Sequence, residues 1–388
     1  MHKQFFENNP FYLAPMAELS HRALRELIEE FGGCDAYFTE MISANALFSG
    51  GPYEKWYIDT LPNPEKCVFQ LVGADSEALA KAAGYLDNLE CAGIDINMGC
   101  SAPLIRKTGA GAAWMASIDR AGELISRVRP QVKRRLSVKL RIGFKDDFEY
   151  LVRFCRRLEN EGVELITLHP RLVSEKFKRL ARWEYIGRLK NELKIPVVGN
   201  GDISSAQELV RRAAGNCDAV MVGRAAVKMP WIFAQAKDVE KEDFTANETF
   251  GSSTNQQELE PAVLSRTGEG TNSNTCLPSP QAEAEHDLQK QFLEFSAVET
   301  LKGAQKRVPP NVFAGRAPPV LEEIGIRFIE LLSVHQPPDF HISRAKRFFG
   351  FFCDNLKWGT HLKNQINREE SLSGIEKVWK EHFSVYSA

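Results

Sequence analysis

Eight short apolar runs, separated from one another by polar or amphipathic stretches, fill the first 237 residues of the chain. They fall at 11–14, 36–39, 68–72, 93–97, 137–140, 165–168, 197–199 and 219–222. Each is the length of a strand covered on both faces. Apolar residues at helical spacing lie between most of them, such as Leu24, Leu27, Ile28 and Phe31, or Leu79, Ala83 and Leu86. Segments 120–128, 148–161, 184–191 and 205–213 behave likewise. Ser204 or Ser205 stands where it would cap the last of these, with Glu208 placed to answer it. No antiparallel hairpin signal intervenes, so the alternation predicts an α/β fold, a closed parallel (β/α)8 TIM barrel, which typically takes ~250 residues. An open doubly wound sheet is the competitor. It is disfavoured because no GxGxxG follows the first run and polar residues follow nearly all of them.

The pattern places this barrel at 1–237. From 238 to 318 the chain is rich in Ser, Thr, Asn, Gln, Gly and Pro. Such a stretch buries too little apolar surface to offset its ordering entropy, which predicts a disordered insertion. Helical spacing returns over 319–388. Leu321, Ile324, Phe328, Leu331 and Leu332 suit one helix; Ile342, Ala345, Phe348, Phe349 and Phe352 a second; Ile375, Val378 and Trp379 a third. This is a small C-terminal α-helical domain. Its middle carries Arg344, Lys346, Arg347, Lys357, Lys363 and Arg368 against few acids, which suits either a solvated helix face or a phosphate-binding one.

A net charge of −2 restricts any nucleic-acid surface to a local patch. The eight cysteines include no CxxC pair, so neither a metal site nor a disulfide framework is expected, and most read as buried thiols in a reducing compartment. The N-terminal MHKQFFENNPFYLAPM lacks the apolar core of a signal peptide, and no stretch of ~20 apolar residues would span a membrane. A cytoplasmic protein without membrane partners is the expectation, monomeric because no apolar stripe is left over from the core patterns.

Polar residues recur where the strands end. Pro15, Met16 and Ala17 end the first, Gln70 lies in the third, Asn97 and Cys100 end the fourth, and Lys139 lies in the fifth. His169 and Arg171 follow the sixth, Asn200, Gly201 and Asp202 the seventh, and Gly223 and Arg224 the eighth. Singly, each has a plain structural reading: a core amide, a paired lysine, a satisfied histidine, ordinary turns. In a barrel all of them would converge on the C-terminal mouth, where such folds carry chemistry. Cys100, just after Gly99, is then placed to attack a substrate or hand it a proton, if it is not merely a small buried thiol. The loops after the last two strands are the usual phosphate seat, to which Arg224 adds a charged fork. Gln70 and Lys139, deeper in, suit a planar hydrogen-bonding ring such as isoalloxazine, with Lys139 stabilising charge on the reduced ring.

The set APMA, FQLVG, DINMGC, KLRIG, GNGDI and VGRAA, in this order, resembles the tRNA-dihydrouridine synthases, FMN-dependent TIM-barrel enzymes. The resemblance covers 11–233 and resumes in the C-terminal helices. It implies reduction of the C5=C6 bond of uridines in tRNA, with NADPH or NADH as reductant, hydride passing from FMN to C6 and a proton from Cys100 to C5. By position it implies an FMN site of Pro15, Met16, Ala17, Gln70, Lys139, His169, Asn200, Gly201, Asp202, Gly223 and Arg224. It implies that Asn97 contacts the target uracil, that Arg106 and Lys107 lie on a basic loop near the substrate, and that the C-terminal helices bind tRNA. Arg171, Arg344, Lys346 and Arg347 join the expected substrate contacts. The family's cysteine is usually followed by proline; here Ser101 follows Cys100 and the proline comes at Pro103.

Overall fold

A computed structural model describes residues 10–175, 177–240 and 320–386; the expected insertion falls almost wholly outside them. The eight strands are β1 (Phe11–Leu13), β2 (Ala36–Ser43), β3 (Cys67–Val72), β4 (Gly93–Met98), β5 (Arg135–Gly143), β6 (Leu165–Leu172), β7 (Val197–Asn200) and β8 (Ala219–Val222). All pair in parallel, in chain order, and β8 returns to β1 to close the barrel. Tyr12, Phe38, Val68, Leu165, Val198 and Met221 pack one another as a buried core cluster.

Strands β2, β5 and β6 run several residues beyond their predicted ends. The added residues include Glu40, Arg141, His169 and Arg171, all buried. An apolar-run reading stops at the first polar residue, whereas the ladder continues while its polar side chains still find partners. His169 and Arg171 therefore lie within β6, not after it.

The six predicted barrel helices form at Arg22–Glu30, Ser76–Asp87, Ile118–Val128, Phe148–Asn160, Glu184–Lys190 and Ala206–Ala213. The side chains of Asp75, Ser117, Asp147 and Ser205 each accept a hydrogen bond from an otherwise unpaired N–H of a first turn. Glu208 does not answer Ser205; its carboxylate is taken by Arg211 and Arg212.

The C-terminal segment forms four helices, not three: Leu321–His335, Pro338–Phe352, Gly359–Arg368 and Leu372–Tyr386. Their core is aromatic. Phe328 stacks on Phe348 at 3.7 Å between centroids, and Phe349 and Phe352 lie 4.7 and 5.7 Å from Trp379. Gly325 makes room for Trp379, because a Cβ there would come within 2.3 Å of the indole. These helices and the barrel form one compact unit. Arg327 pairs with Glu30 at 2.7 Å, His335 with Glu26 at 3.0 Å and Arg344 with Glu40 at 2.9 Å. Among the described residues no helix is long and apolar enough to cross a membrane.

Candidate active site

A cavity of about 230 Å³ opens at the C-terminal ends of the strands. Pro15, Met16, Asn97, Cys100, Lys139, His169, Arg171, Asn200, Gly201, Asp202, Gly223 and Arg224 all line it. The remaining predicted residues do not. Ala17 is next to Met16 in the loop after β1 but outside the lining. Gln70 is fully buried below it, its amide bonded to Asp95 and Asn97. Arg106 and Lys107 are exposed on the short helix Pro103–Lys107. Lys346 and Arg347 lie on the helix Pro338–Phe352, where Arg347 is half-exposed and 3.9 Å from Glu18. Arg344 is 2% exposed and paired with Glu40, so it is withdrawn from any exposed basic face.

The lining is cationic. Lys139, Arg141, Arg171 and Arg224 face it, against the single carboxylate of Asp202. That carboxylate is already committed, one oxygen to Arg171 and the other to the N–H of Ala181 at 2.7 Å. Asp202 and Arg171 thus brace the loop after β6, and Arg171 also donates to the Arg179 carbonyl. Arg224 stands exposed at the rim, its guanidinium open to an incoming anion.

At depth, Lys139 donates to the Asn200 side-chain oxygen at 3.0 Å, and Asn200 in turn donates to the Met221 carbonyl at 2.8 Å. Burial first, then the neighbouring Arg141, pushes the Lys139 ammonium down to about 8. His169 Nε2 faces an Arg171 N–H at 2.8 Å and must accept, leaving Nδ1 as the donor of a neutral ring. Burial holds His169 well below its ordinary value, reinforced by Lys139, Arg141, Arg171 and Arg224. Gly201, at φ +129°, turns the chain after β7; a Cβ there would meet His169 at 3.1 Å.

Cys100 is held through its main chain on both sides. Its N–H donates to Asn97 Oδ1 at 2.9 Å and its carbonyl accepts from the Ala112 N–H at 3.0 Å. Seven described cysteines are free thiols; six are buried and only Cys100 is half-exposed. Among the described residues no cluster of three or more His, Cys, Asp and Glu is placed to hold a metal ion.

Two residues of the lining do not stand out in the sequence. Arg141 donates to the Gly99 carbonyl at 3.0 Å, steadying the turn that carries Cys100. Its signal was its place in KLRIG, two residues beyond Lys139 and so on the same strand face. Phe177, an exposed ring in the loop after β6, lies 4.6 Å from the Arg224 guanidinium and 6.2 Å from His169. A lone aromatic in a polar loop carries no sequence signal of that kind.

The family model for dihydrouridine synthases matches residues 12–308. A probable tRNA-dihydrouridine synthase of Aquifex aeolicus is 34% identical over 240 residues, covering 60% of this chain and 74% of that protein. A tRNA-dihydrouridine(16) synthase of Ralstonia nicotianae is 29% identical over 229 residues, covering 57% and 70%. A Xenopus tropicalis protein named as tRNA-dihydrouridine(47) synthase NAD(P)(+)-like is 29% identical over 244 residues, covering 62% of this chain but 38% of that one.

Proposed function

The chain belongs to the dihydrouridine synthase family, and we propose that its cavity holds flavin mononucleotide against a uracil of tRNA, with Cys100 supplying the proton that completes the reduction. It is an oxidoreductase of uridines in tRNA that draws on a nicotinamide reductant. The observation that carries the assignment is the meeting, in one cavity, of the half-exposed Cys100 thiol, the buried Lys139 ammonium and a cationic rim.

The donor set suits the flavin nucleotide. Its phosphate needs cations and backbone N–H groups, and Arg224 with the glycine-bearing turns after β7 and β8 offers both. Its ring needs donors at depth, which Lys139 and the neutral His169 provide. When bound, the flavin supplies the hydride for C6 of the base. The protein's own part is positional and acidic. Lys139, oriented by Asn200, sets a positive charge where the ring carries its electrons. Cys100, half-exposed in the cavity wall, is the thiol placed to give a proton to C5. Gln70 supports its neighbours from below the cavity, and Arg171, on the cavity wall, braces the loop after β6. Around the mouth, Arg106, Lys107, Lys346 and Arg347 are the side chains left to meet the tRNA backbone. The reductant is NADPH or NADH.

The test is direct. The purified full-length chain should be yellow, and with NADPH or NADH it should convert uridine to dihydrouridine in an unmodified tRNA transcript, read by mass spectrometry of the digested RNA. Free uracil should not be turned over. A colourless protein with no flavin after reconstitution, or an unchanged transcript, would overturn the proposal. The same digest reports the position, on which the relatives named above differ.

A further inference from the structure

From the cavity wall downward, four polar side chains tie together three neighbouring strands. Gln70 in β3, Asp95 in β4 and Ser137 in β5 are register partners, and Asn97 lies two residues further along β4, on the same face. Asp95 and Gln70 are completely buried. Ser137 Oγ donates to Asp95 Oδ1 at 2.6 Å, and Gln70 Nε2 donates to Asp95 Oδ2 at 2.7 Å. Asn97 Nδ2 donates to Gln70 Oε1 at 2.8 Å. Asn97 Oδ1 then accepts from the backbone N–H of Gly99 at 3.1 Å and of Cys100 at 2.9 Å.

Which way a side-chain amide points is decided by its partners. Here both ends of the chain are unambiguous. Backbone N–H groups only donate, so the Asn97 oxygen must face them. An ionised carboxylate only accepts, so Gln70 must turn its NH2 towards Asp95. The two ends impose the same sense on everything between. With both lone pairs of its oxygen used and one N–H given to Gln70, Asn97 has a single N–H left to offer the cavity.

We propose that Asp95 is a positioning residue: by accepting from Gln70 it fixes the sense of the Gln70–Asn97 amide chain, so that Asn97 anchors the Cys100 backbone with its oxygen and presents the cavity with a donor alone. This deepens the reading above and rests on it. Asp95 does not line the cavity; it acts through two amides. The substrate atom opposite Asn97 must then be an acceptor, such as a ring carbonyl oxygen. An exocyclic amine in that place would set donor against donor.

The test uses the full-length chain in four variants. Asp95→Leu removes the acceptor. Asp95→Asn can keep an oxygen towards Gln70 as long as the Ser137 hydroxyl accepts the new N–H, and Ser137→Ala alone leaves the carboxylate in place. Only the double variant Asp95→Asn/Ser137→Ala strands that N–H. Turning the amide over to relieve it reverses Gln70 and then Asn97, pulling the Asn97 oxygen off Cys100. Asp95→Leu and the double variant should lose about tenfold or more in kcat on tRNA with KM little changed, while each conservative single variant loses about threefold or less. Alkylation of Cys100 by iodoacetamide, read on its own peptide in flavin-free and flavin-loaded protein, should shift in the same two variants and not in the others. If Asp95→Leu fails to fold, the double-variant cycle decides alone. A double variant whose loss equals the product of the single losses, or an alkylation rate identical across the series, would overturn the inference. A wild type inactive on tRNA would instead sink the parent reading, and the alkylation series would still decide the orientation.

Discussion

Arg344 and Glu40 meet at 2.9 Å, the guanidinium reaching from the C-terminal helices to the middle of β2, and both side chains are all but sealed from solvent. The other Glu40 oxygen accepts from the backbone N–H of Glu18 at 2.5 Å, and Glu18 sits in the left-handed region at φ 63°. The C-terminal helices thus reach, through one carboxylate, the loop that carries Pro15 and Met16 into the cavity.

Arg344→Met should therefore act as a stability lesion felt at the mouth. It leaves Glu40 buried without its counter-charge, a change that typically costs about 3–5 kcal/mol. Burial already raises the Glu40 carboxyl, with Arg344 pulling the other way. Without Arg344 the carboxyl would protonate more readily, so the loss in Tm should be smaller at pH 5 than at pH 8. Flavin content should fall too. A variant with wild-type Tm and full flavin at both pH values would contradict this role.

Lys346 and Arg347, two and three residues on, should behave in the opposite way. The double alanine variant should keep its flavin and its Tm but bind tRNA more weakly. The slope of log affinity against log salt should become shallower by about one unit for each phosphate that is no longer neutralised. Binding titrations at several salt concentrations measure it. An unaltered slope would remove both residues from the tRNA surface.

Cys100→Ala should retain flavin and its reduction by the nicotinamide, since the turn is anchored through the main chain and not through the thiol. Dihydrouridine formation should fall by roughly 10²-fold or more, the usual contribution of a positioned general acid. Single-turnover reduction followed by RNA digestion separates the two steps; product at the wild-type rate would show that the proton comes from elsewhere.

Asp95 should leave a mark on the pH dependence of stability. Burial raises its carboxyl from 3.8 to about 6, against the hydrogen bonds of Ser137 and Gln70 and the charge of Lys139. Between those values the folded chain holds a proton that the unfolded chain has lost. The stability contributed is therefore full below the unfolded value and lost as pH rises through the folded one. The difference in unfolding free energy between wild type and Asp95→Asn should shrink by about 3 kcal/mol from acid to neutral pH, at 1.36 kcal/mol per unit. Urea titrations of both proteins across that range measure it. A difference that stays constant with pH would mean that Asp95 titrates alike in the folded and unfolded chain.

The barrel was legible because strands buried on both faces write themselves as short apolar runs, and the helices between them as periodic ones. Cys100, Lys139 and Arg224 were legible because strand ends are fixed by that same count. Arg344 was not. In sequence it is one cation of a basic run, and the carboxylate that claims it is on β2, hundreds of residues earlier. The helix Gly359–Arg368 was hidden in the same run, since Leu362 and Ile366 are its only large apolar residues that bury. Asp95 is, along the chain, a single polar residue between Ile94 and Ile96. Its meaning lies sideways, across the register to Gln70 and Ser137, a direction that a one-dimensional pattern does not record.

Closure of the barrel through β1 and β8 gives the molecule an order of assembly. β1 leaves the ribosome first and waits for its second neighbour until residue 222 has been made. The turns after β7 and β8, which line the cavity, are among the last parts of the barrel to be synthesised. The Glu40 clamp waits longer still, for Arg344. Translation that stops before Arg344 therefore releases a closed barrel whose Glu40 has no counter-charge from the C-terminal helices.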